Sequence, residues 1–374
     1  MTLGWYDPRF FDAIGRYARD SGWHLATRSM LEAADPSGWV GDGMLVNDTE
    51  VPRLAGFIRS QIAKQPTVLF GANHQDVDAA SVEEDNLGAG RLAAEHFLER
   101  GYRHFAWIGI PRGRVERDRR EGFVSVLEEA GQDCALLNLD APSGHPANVW
   151  KARRKRLAME IKALPKQLAV FALDDLLAAE VIEACLDVGL RVPEDVAVLG
   201  AGNIELACEC SPVPISSIDL NFGEIAYRAA GLLDGLMKGK ARPAKPITIP
   251  LRGIVMRRST DALAVSHPGI EKAVRFISEN HTRNIGVEDI SAAAKISSRA
   301  LHYAFSKELR RTPAKHLLYV RLDAAKNALE NPAMKIEQVA QDCGFGSSRN
   351  LHRCFVREIG TSPQKWREVN SGDS

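Results

Sequence analysis

The sequence lacks the features that mark secreted, disulfide-rich and membrane-spanning proteins. Its 374 residues contain only six cysteines, which are too few and too scattered for a disulfide scaffold. The Cys208-x-Cys210 pair has neither a second pair nor histidines nearby, so the sequence predicts no metal site, and it indicates no cofactor. No apolar run approaches the length of a membrane span, and the first ten residues, MTLGWYDPRF, lack the basic start and apolar stretch of a signal peptide. We therefore expect a reduced, cytoplasmic protein with no membrane partner.

Net charge is a further feature that the sequence lacks. Lys and Arg number 48, as do Asp and Glu, so the formal net charge is zero, which argues against a uniformly basic coat protein for nucleic acid. The charge is nevertheless unevenly distributed. Residues 266–374 hold 17 basic and 12 acidic side chains, a net charge of +5, and the preceding 265 residues carry −5. The basic carboxyl-terminal segment is the part that we expect to meet phosphate.

Two hydrophobic patterns divide the chain. Up to about residue 255, short apolar runs alternate with amphipathic segments of helix length. The runs are Thr67–Gly71, His104–Gly109, Leu168–Leu173 and Val196–Gly200, and the helical segments are Gly90–Arg100, Arg120–Ala130 and Leu176–Val188. This alternation predicts an α/β fold with parallel sheets, which bind small ligands at the carboxyl ends of their strands. We predict a ligand-binding domain at 1–256, a linker at 257–269 and an all-α domain at 270–374.

An internal repeat is the strongest signal in the helical part. Residues 297–305 (SSRALHYAF) and 347–355 (SSRNLHRCF) share the pattern S-S-R-x-L-H-x-x-F at a spacing of 50. In each copy a leading serine is suited to cap a helix, and the leucine and phenylalanine four residues apart lie on one apolar face. A short helix-like segment and a turn precede each copy. The pattern predicts two helix-turn-helix units, whose second helices fit the major groove of double-stranded DNA.

Residues that face outward from these helices are candidates for DNA contact. Arginine reads guanine and asparagine reads adenine through paired hydrogen bonds, whereas serine hydroxyls at the helix starts would reach phosphates. The candidates are Ser298, Arg299, His302, Tyr303 and Ser306 in the first copy and Ser348, Arg349, Asn350, His352 and Arg353 in the second. The alternative is a helical bundle whose charged faces are only solvated.

This helical domain resembles the AraC-type DNA-binding domain, in which a long helix, here Pro313–Glu330, joins two helix-turn-helix units. The second unit carries the motif residues, which are Ile336–Ala340, Cys343–Phe345, Asn350–Phe355, Gly360–Pro363 and Trp366-Arg367. Val356 departs from the pattern, because the family usually has a basic residue there, and Arg357 follows it. The resemblance covers residues 270–374 and implies two recognition helices in successive major grooves of promoter DNA.

The amino-terminal part resembles the LacI-type regulatory domain, which is similar to periplasmic sugar-binding proteins. The matching stretches are Asp85–Gly90, His96–Tyr102, Arg119–Phe123, Asp174-Asp175, Gly189–Val196, Gly200–Asn203 and Arg257–Thr260. The resemblance implies a two-lobed sensor with a ligand cleft between its lobes. The ligand-binding residues that it implies are Tyr6, Asp7, Asp85, Arg119, Asp175 and Asn203. Counting back from Gly189 favours Asp175 over its neighbour Asp174.

The chemistry of these side chains fits a neutral polyol. Carboxylates accept hydrogen bonds from vicinal hydroxyls, a guanidinium donates in a planar fork, and Tyr6, Trp107 or Trp150 are candidates to pack on a sugar face. Two alternatives stay open at this point. Arg119 and Asp175 could form an ion pair between the lobes without a ligand, or a pair of cleft carboxylates could serve an enzyme.

The combination of the two domains resembles the activators of xylose operons. It implies a transcription activator, not an enzyme, that responds to D-xylose, forms a homodimer on DNA and contacts RNA polymerase. The competing interpretations are a repressor, a regulator that responds to another sugar, and a soluble sugar-binding protein. The family's sensor begins with a full apolar strand, whereas only Met1–Trp5 precede Tyr6 here. We expect either that the coding start lies further upstream or that Met1–Trp5 forms a short substitute strand.

Overall fold

A computed structural model describes residues 7–26, 41–47, 55–71, 77–111, 113–139, 146–261, 268–309, 311–329, 331 and 333–370. The chain divides into two compact units, one of Met1–His96 with Arg103–Ala262 and the other of Phe97–Tyr102 with Leu263–Ser374. The first unit is an α/β domain with parallel sheets and the second is helical, so the predicted fold class is confirmed. The exact domain limits stay a prediction.

The first unit alternates strands and helices along most of its length. In chain order its elements are α1 (Pro8–Ser21), β1 (Met44–Val46), α2 (Ala55–Ile62), β2 (Thr67–Phe70), β3 (Ala80–Glu84), α3 (Asn86–Glu99), β4 (His104–Gly109), α4 (Gly113–Glu129), β5 (Cys134–Asn138), α5 (Pro146–Ala163), β6 (Leu168–Ala172), α6 (Asp175–Asp187), β7 (Val196–Ala201), α7 (Glu205–Cys210), β8 (Ser216–Asp219), α8 (Phe222–Met237), β9 (Ile247–Ile249), β10 (Gly253–Val255) and a 3-10 turn at Arg258–Thr260. The four predicted apolar runs form β2, β4, β6 and β7.

The strands form two sheets, which define two lobes. The four-stranded lobe has the order β1-β2-β3-β9 with all neighbours parallel. The six-stranded lobe has the order β10-β8-β7-β6-β4-β5, in which β10 alone runs antiparallel to its neighbour. Every residue of β2 and β6 is buried. Because helices cover both faces of such strands, they appear in the sequence as continuous apolar runs.

Helix α1 is fixed to the four-stranded lobe by aromatic packing. The Phe10 ring lies 5.2 Å from that of Phe70 and 5.1 Å from that of Phe222. Asp7 caps the helix by accepting a hydrogen bond from the Arg9 amide, and Gly22 ends it in the left-handed conformation with φ of 68°. This packing fixes the start of α1 against β2 and α8. Met1–Trp5 and Tyr6 lie outside the described residues, so the substitute strand stays a prediction.

The beginning of the predicted linker belongs to the first unit. Ser259 and Thr260 are fully buried. The Ser259 hydroxyl donates to the Val198 carbonyl at 2.6 Å and accepts from the Ser216 amide at 2.8 Å. Polar loop composition suggested a linker here, but these hydrogen bonds attach residues 257–261 to the six-stranded sheet. The part of the linker that remains falls mainly on residues 262–267, which the structure does not describe.

The second unit consists of helices arranged as two small cores. Its helices are α9 (Pro268–Asn280), α10 (Val287–Ala294), α11 (Ser298–Leu309), α12 (Pro313–Leu329), α13 (Ile336–Asp342), α14 (Ser348–Ile359) and α15 (Pro363–Asn370). One core surrounds Phe305 and the other surrounds Phe355. Helix α12 contributes Leu317 to the first core and Leu322 to the second, which confirms the predicted long connecting helix. Among the described helices of the whole chain, none has the length and apolar character to cross a bilayer.

Candidate ligand cleft and nucleic-acid interface

Polar residues gather where the parallel strands of both lobes end. Glu84 closes β3 and Asn86 begins the next helix, while Asp174 and Asn203 follow β6 and β7. The lobes meet at this edge, because Arg9 from α1 donates through Nη2 to the Gly202 carbonyl at 2.8 Å. We call this meeting place of strand ends the cleft. It is the position at which parallel α/β sheets bind ligands.

Arg119 lies in the cleft and is held on two sides. Its Nε donates to Asn86 Oδ1 at 2.7 Å, and its Nη1 donates to the Leu173 carbonyl at 2.5 Å. Its Nη2 lies 3.9 Å from Glu84 Oε1. Burial lowers the pKa of the guanidinium, although the charges of Glu84 and Asp174 act in the opposite direction. The planar fork is therefore oriented and desolvated before any ligand arrives.

A close helix crossing sets the position of Arg119. A Cβ atom on Gly122 would lie 2.1 Å from the Leu87 carbonyl oxygen, and one on Gly90 would lie 2.0 Å from the Arg119 carbonyl oxygen. Because neither glycine has a side chain, the backbones of α3 and α4 touch. The glycine of the R-x-x-G-F motif thus fixes the arginine one turn earlier on the same helix.

Asp175 is completely buried, at 0% exposure. Its Oδ1 accepts from the Ser217 hydroxyl at 2.5 Å and its Oδ2 accepts from the Ile204 amide at 2.7 Å. Burial raises the pKa of this carboxyl to about 6. A Cβ on Gly200 would lie 2.3 Å from Oδ1. The carboxylate therefore fits against the β7 backbone because residue 200 has no side chain. In this structure Asp175 joins strand ends together and does not face the open cleft.

Asp174 is the more exposed member of the acidic pair. It caps helix α6, with Oδ1 accepting from the Leu177 amide at 2.7 Å. Among the charges that act on Arg119, that of Asp174 ranks ahead of that of Asp175. Sequence counting favoured Asp175 for the cleft, whereas the first turn of α6 turns Asp175 inward and leaves Asp174 half-buried.

Asp7 and Arg9 form an ion pair at the start of α1. Asp7 Oδ1 accepts from Arg9 Nε at 2.9 Å, and Asp7 Oδ2 accepts from Arg9 Nη2 at 2.7 Å. Burial lowers the pKa of Arg9, but the hydrogen bonds to Asp7 and the charges of Asp7, Asp219 and Asp175 together raise it. The guanidinium also lies over the Phe222 ring, 4.9 Å from its centre. Sequence reasoning selected Asp7 and missed Arg9.

Asp85 and Asn203 occupy supporting positions at the cleft. Asp85 Oδ1 accepts from the Gly88 amide at 2.8 Å, which caps helix α3. Asn203 has a left-handed φ of 51°, and its amide group joins Asp219 to Arg257, with contacts of 3.3 Å and 3.1 Å. Both side chains are half-buried. Their present partners hold the ends of the strands in place.

Of the three aromatic candidates, Trp107 and Trp150 do not lie together in the cleft, and Tyr6 lies outside the described residues. Trp107 is fully buried in β4, where its ring packs on Phe171 at 5.2 Å and its Nε1 donates to Glu116 Oε1. Trp150 is exposed on α5 and lies beside Arg154. Trp107 is therefore a core residue in this structure. Within the described residues, no group of three or more His, Cys, Asp or Glu side chains is arranged to hold a metal ion.

Both copies of the repeat form the second helix of a helix-turn-helix unit. In α11 the side chains of Arg299, His302, Tyr303 and Ser306 are exposed, and Leu301 and Phe305 are buried, as the pattern predicts. The leading serines cap their helices. Ser297 Oγ accepts from the Ala300 amide at 3.2 Å, and Ser347 Oγ accepts from the Asn350 amide at 3.3 Å. Arg349, His352 and Arg353 are exposed on α14 in the same way.

Asn350 differs from its predicted outward position. It is half-buried, its Nδ2 donates to the Phe345 carbonyl at 2.9 Å, and its Oδ1 accepts from Arg353 Nη2 at 3.0 Å. Both ends of the amide are thus occupied by the turn and the helix of the same unit. The side chain closes the turn, which has glycines with positive φ at 344 and 346.

Ser298 and Ser348 contact the preceding helix of their own unit. The Ser298 hydroxyl donates to Ser291 Oγ at 3.2 Å. The Ser348 amide donates to Glu337 Oε2 at 3.2 Å, and its hydroxyl and amide together hold the pKa of Glu337 below its usual range. The two serines therefore fix the angle between the helices of each unit.

Two arginines connect the helices of the helical domain: Arg321, which the sequence pattern did not single out, and the motif residue Arg367. Arg321 donates to the His281 carbonyl at 2.8 Å and to the Arg283 carbonyl at 2.7 Å. Arg367 donates to the Met334 carbonyl at 2.6 Å and to the Leu329 carbonyl at 3.3 Å. Each guanidinium satisfies carbonyls near a helix end, which helices otherwise leave without partners.

Comparisons with known proteins match both units. A periplasmic binding protein-like domain model matches residues 94–260, and a helix-turn-helix domain model matches residues 290–368. The xylose operon regulatory protein of Escherichia coli K12 is 26% identical over 380 residues, which cover 98% of this chain and 95% of that protein. The protein of the same name from Haemophilus influenzae is 24% identical, with 97% and 95% covered.

A solved structure agrees with this architecture. The structure of the xylose-binding transcription activator xylR aligns with a TM-score of 0.59 and 25% identity, covering 99% of this chain and 98% of that one. The alignment extends across both the α/β unit and the helical unit. The chain is therefore an AraC-type, DNA-binding transcription regulator that carries a periplasmic-binding-protein-like sensor domain ahead of its recognition helices.

Proposed function

We propose that the chain is a transcription activator that binds promoter DNA in response to D-xylose. The observation that carries this proposal is the coexistence of the Arg119 cleft and the two recognition helices in one chain. Two relatives that match nearly the whole chain are named as xylose operon regulatory proteins. A regulator has to reach DNA, so we place it in the cytoplasm, and we assign it regulation and not catalysis.

The cleft is suited to a neutral polyol. Arg119 presents donors, while Asp7, Asp85, Asp174 and Asn203 present carboxylate and amide oxygens at the strand ends. Hydroxyls both donate and accept, so they pair with either group. We propose Tyr6, Asp7, Asp85, Arg119 and Asn203 as ligand-binding residues. The sequence predicts the same role for Asp175. We propose that this buried carboxylate instead supports the cleft by holding the Ile204 amide and the Ser217 hydroxyl.

The DNA contacts that we propose come from exposed side chains of the two recognition helices. Arg299, His302, Tyr303 and Ser306 would enter one major groove, and Arg349, His352 and Arg353 the next. Ser298, Ser348 and Asn350 would contribute indirectly, because they hold the helix starts and the turn in position for the recognition helices. The net charge of +5 in residues 266–374 supports this interface.

Switching requires that the sugar favour one arrangement of the protein. Closure of the lobes around the ligand would break or remake the contact of Arg9 with Gly202. The ligand shifts the equilibrium only by its difference in affinity for the two states. A homodimer would present two reader domains to paired half-sites and multiply their affinity. In this arrangement an activator contacts RNA polymerase from the adjacent site.

A thermal-shift screen with pentoses and hexoses tests the sensing role. A sugar at 100 times its Kd stabilises the folded sensor by about 2.7 kcal/mol, which raises Tm measurably. We expect D-xylose to raise Tm in the wild type and in Arg117→Lys, whose side chain is exposed on the same helix. We expect no shift in Arg119→Lys, because lysine lacks the fork. No shift with any sugar in the wild type contradicts the proposal.

A further inference from the structure

Glu84 is a buried carboxylate in the cleft that none of the sequence motifs selected. It closes β3 and is 8% exposed. Its Oε1 lies 3.9 Å from Arg119 Nη2. Its Oε2 is buried and has no hydrogen-bond partner among the residues that the structure describes. Buried polar groups of native proteins are almost always paired, so an unpaired carboxylate oxygen at a ligand site points to a donor on the ligand.

A glycine lies beside the unpaired oxygen of Glu84. Gly71 ends the neighbouring strand with φ of 76°, and a Cβ there would lie 3.9 Å from Glu84 Oε2 and 3.1 Å from Asn47 Nδ2. Because Gly71 has no side chain, the described residues near Glu84 Oε2 at this position are the Gly71 backbone and the Asn47 amide. Asn47 is itself held by a hydrogen bond to the Phe70 carbonyl at 3.2 Å.

A second unpaired acceptor lies at the same end of the sheet. Asn221 is 7% exposed, and within the described chain its Oδ1 has no partner. Its Nδ2 lies 3.5 Å from the Pro250 carbonyl. Strands β3 and β9 pair Glu84 with Ile249, the residue before Pro250. Two buried oxygen acceptors therefore lie near the same ends of β3 and β9, and both require a proton donor.

The chemical class of the ligand follows from this set of groups. The 3.9 Å between Arg119 Nη2 and Glu84 Oε1 is too long for a strong hydrogen bond. A ligand hydroxyl that lies beside the pair can satisfy both groups, because it accepts from the guanidinium and donates to the carboxylate. A ligand carboxylate offers no proton at neutral pH, and the Glu84 charge repels a carboxylate and a phosphate alike. Neutral polyols fit, and sugar acids do not.

We propose that Glu84 is a specificity-determining residue that accepts a hydrogen bond from a sugar hydroxyl and selects neutral polyols over sugar acids. The inference rests on the proposed sugar-sensing function and extends it to one residue. Glu83 provides a matched control on the same strand. It is buried to the same degree, but its Oε1 accepts from Ser81 Oγ at 3.0 Å and its Oε2 pairs with Arg114 at 2.5 Å.

Isothermal titration of the full chain with D-xylose and with D-xylonate tests the inference. Glu84→Gln should weaken D-xylose binding about tenfold or more, since a charge-assisted hydrogen bond becomes a neutral one. The ratio of D-xylonate to D-xylose affinity should rise, because the repelling charge is gone. Glu84→Asp keeps the charge, so it should bind D-xylose more weakly and still exclude D-xylonate. Glu83→Gln should lower Tm without changing either affinity.

The outcomes distinguish a failure of the role of Glu84 from a failure of the proposed sugar-sensing function. Wild-type affinity for D-xylose in both Glu84 variants, or an unchanged affinity ratio in Glu84→Gln, overturns the role of Glu84 while leaving the sensor intact. A wild type that binds neither neutral sugars nor D-xylonate overturns the proposed function and this inference together. Equal loss of Tm and affinity in the Glu83 and Glu84 variants assigns both residues to structure alone, and that result also overturns the proposal.

Discussion

The contact between helices α3 and α4 can be perturbed by a single methyl group. In Gly122→Ala the new Cβ would lie 2.1 Å from the Leu87 carbonyl oxygen and 3.1 Å from the Arg91 amide nitrogen. Both are backbone atoms, so no side chain can turn away to relieve the clash. The helices must separate by more than an ångström, and overpacking of this kind costs about 3 kcal/mol. Alanine has a higher helix propensity than glycine, which stabilises the helix by up to about 1 kcal/mol. The net loss in the free energy of unfolding is therefore about 2 kcal/mol.

The assay is calorimetric unfolding of the full chain. A loss of about 2 kcal/mol lowers the Tm of a domain of this size by roughly 4–8 °C. D-xylose affinity should fall as well, since separation of the helices moves Arg119 away from Asn86. Gly15→Ala is the matched control, because its Cβ would meet only the end of the Arg19 side chain at 3.6 Å. It should keep or raise Tm. A Gly122→Ala protein as stable as Gly15→Ala refutes the reasoning.

Three further predictions concern single side chains. Burial raises the pKa of Asp175 from 3.8 to about 6, so protonation favours the folded state. Lowering the pH from 7 to 4 should stabilise the wild type relative to Asp175→Asn by up to about 3 kcal/mol, and a difference in Tm that stays constant with pH contradicts this. Arg349→Ala should weaken DNA binding at unchanged Tm. Asn350→Ala should instead lower the Tm of the helical unit, because it removes the hydrogen bond to the turn. Identical behaviour of the two variants in gel-shift and melting experiments argues against a DNA-contacting role for Arg349 and a structural role for Asn350. Arg367→Ala should destabilise the helical unit by about 1–3 kcal/mol in urea unfolding, because carbonyls near the ends of two elements lose their donor, and an unchanged midpoint counts against that role.

Elements with strong local signals were predictable from the sequence. Strands β2, β4, β6 and β7 are continuous apolar runs because both of their faces are buried. The recognition helices followed from a repeat in which burial and exposure alternate with helical period. The connecting helix, predicted at Pro313–Glu330, is observed at Pro313–Leu329. Short strands such as β1, β9 and β10 have three residues each and exist only through pairing with distant neighbours.

Several features of the candidate site required tertiary information. Asp174 and Asp175 are adjacent, and only the direction of the first turn of α6 decides which one is buried. Arg9 reaches Gly202 across 193 residues of sequence, and no local pattern indicates such a contact. Asn350 points inward because the Phe345 carbonyl needs a donor. Glu84 stands beside a motif residue, Asp85, but its unpaired oxygen becomes visible only once the strand ends are brought together.

One titration tests most directly whether sugar binding controls DNA binding. The DNA site is first selected in vitro by the full chain in the presence of D-xylose, and its affinity is then measured by fluorescence anisotropy with and without the sugar at fixed salt. We predict that saturating D-xylose raises the affinity by roughly 5–150-fold, with DNA raising D-xylose affinity by the same factor. Equal DNA affinity with and without D-xylose contradicts the account, and a lower affinity with D-xylose indicates a repressor in its place.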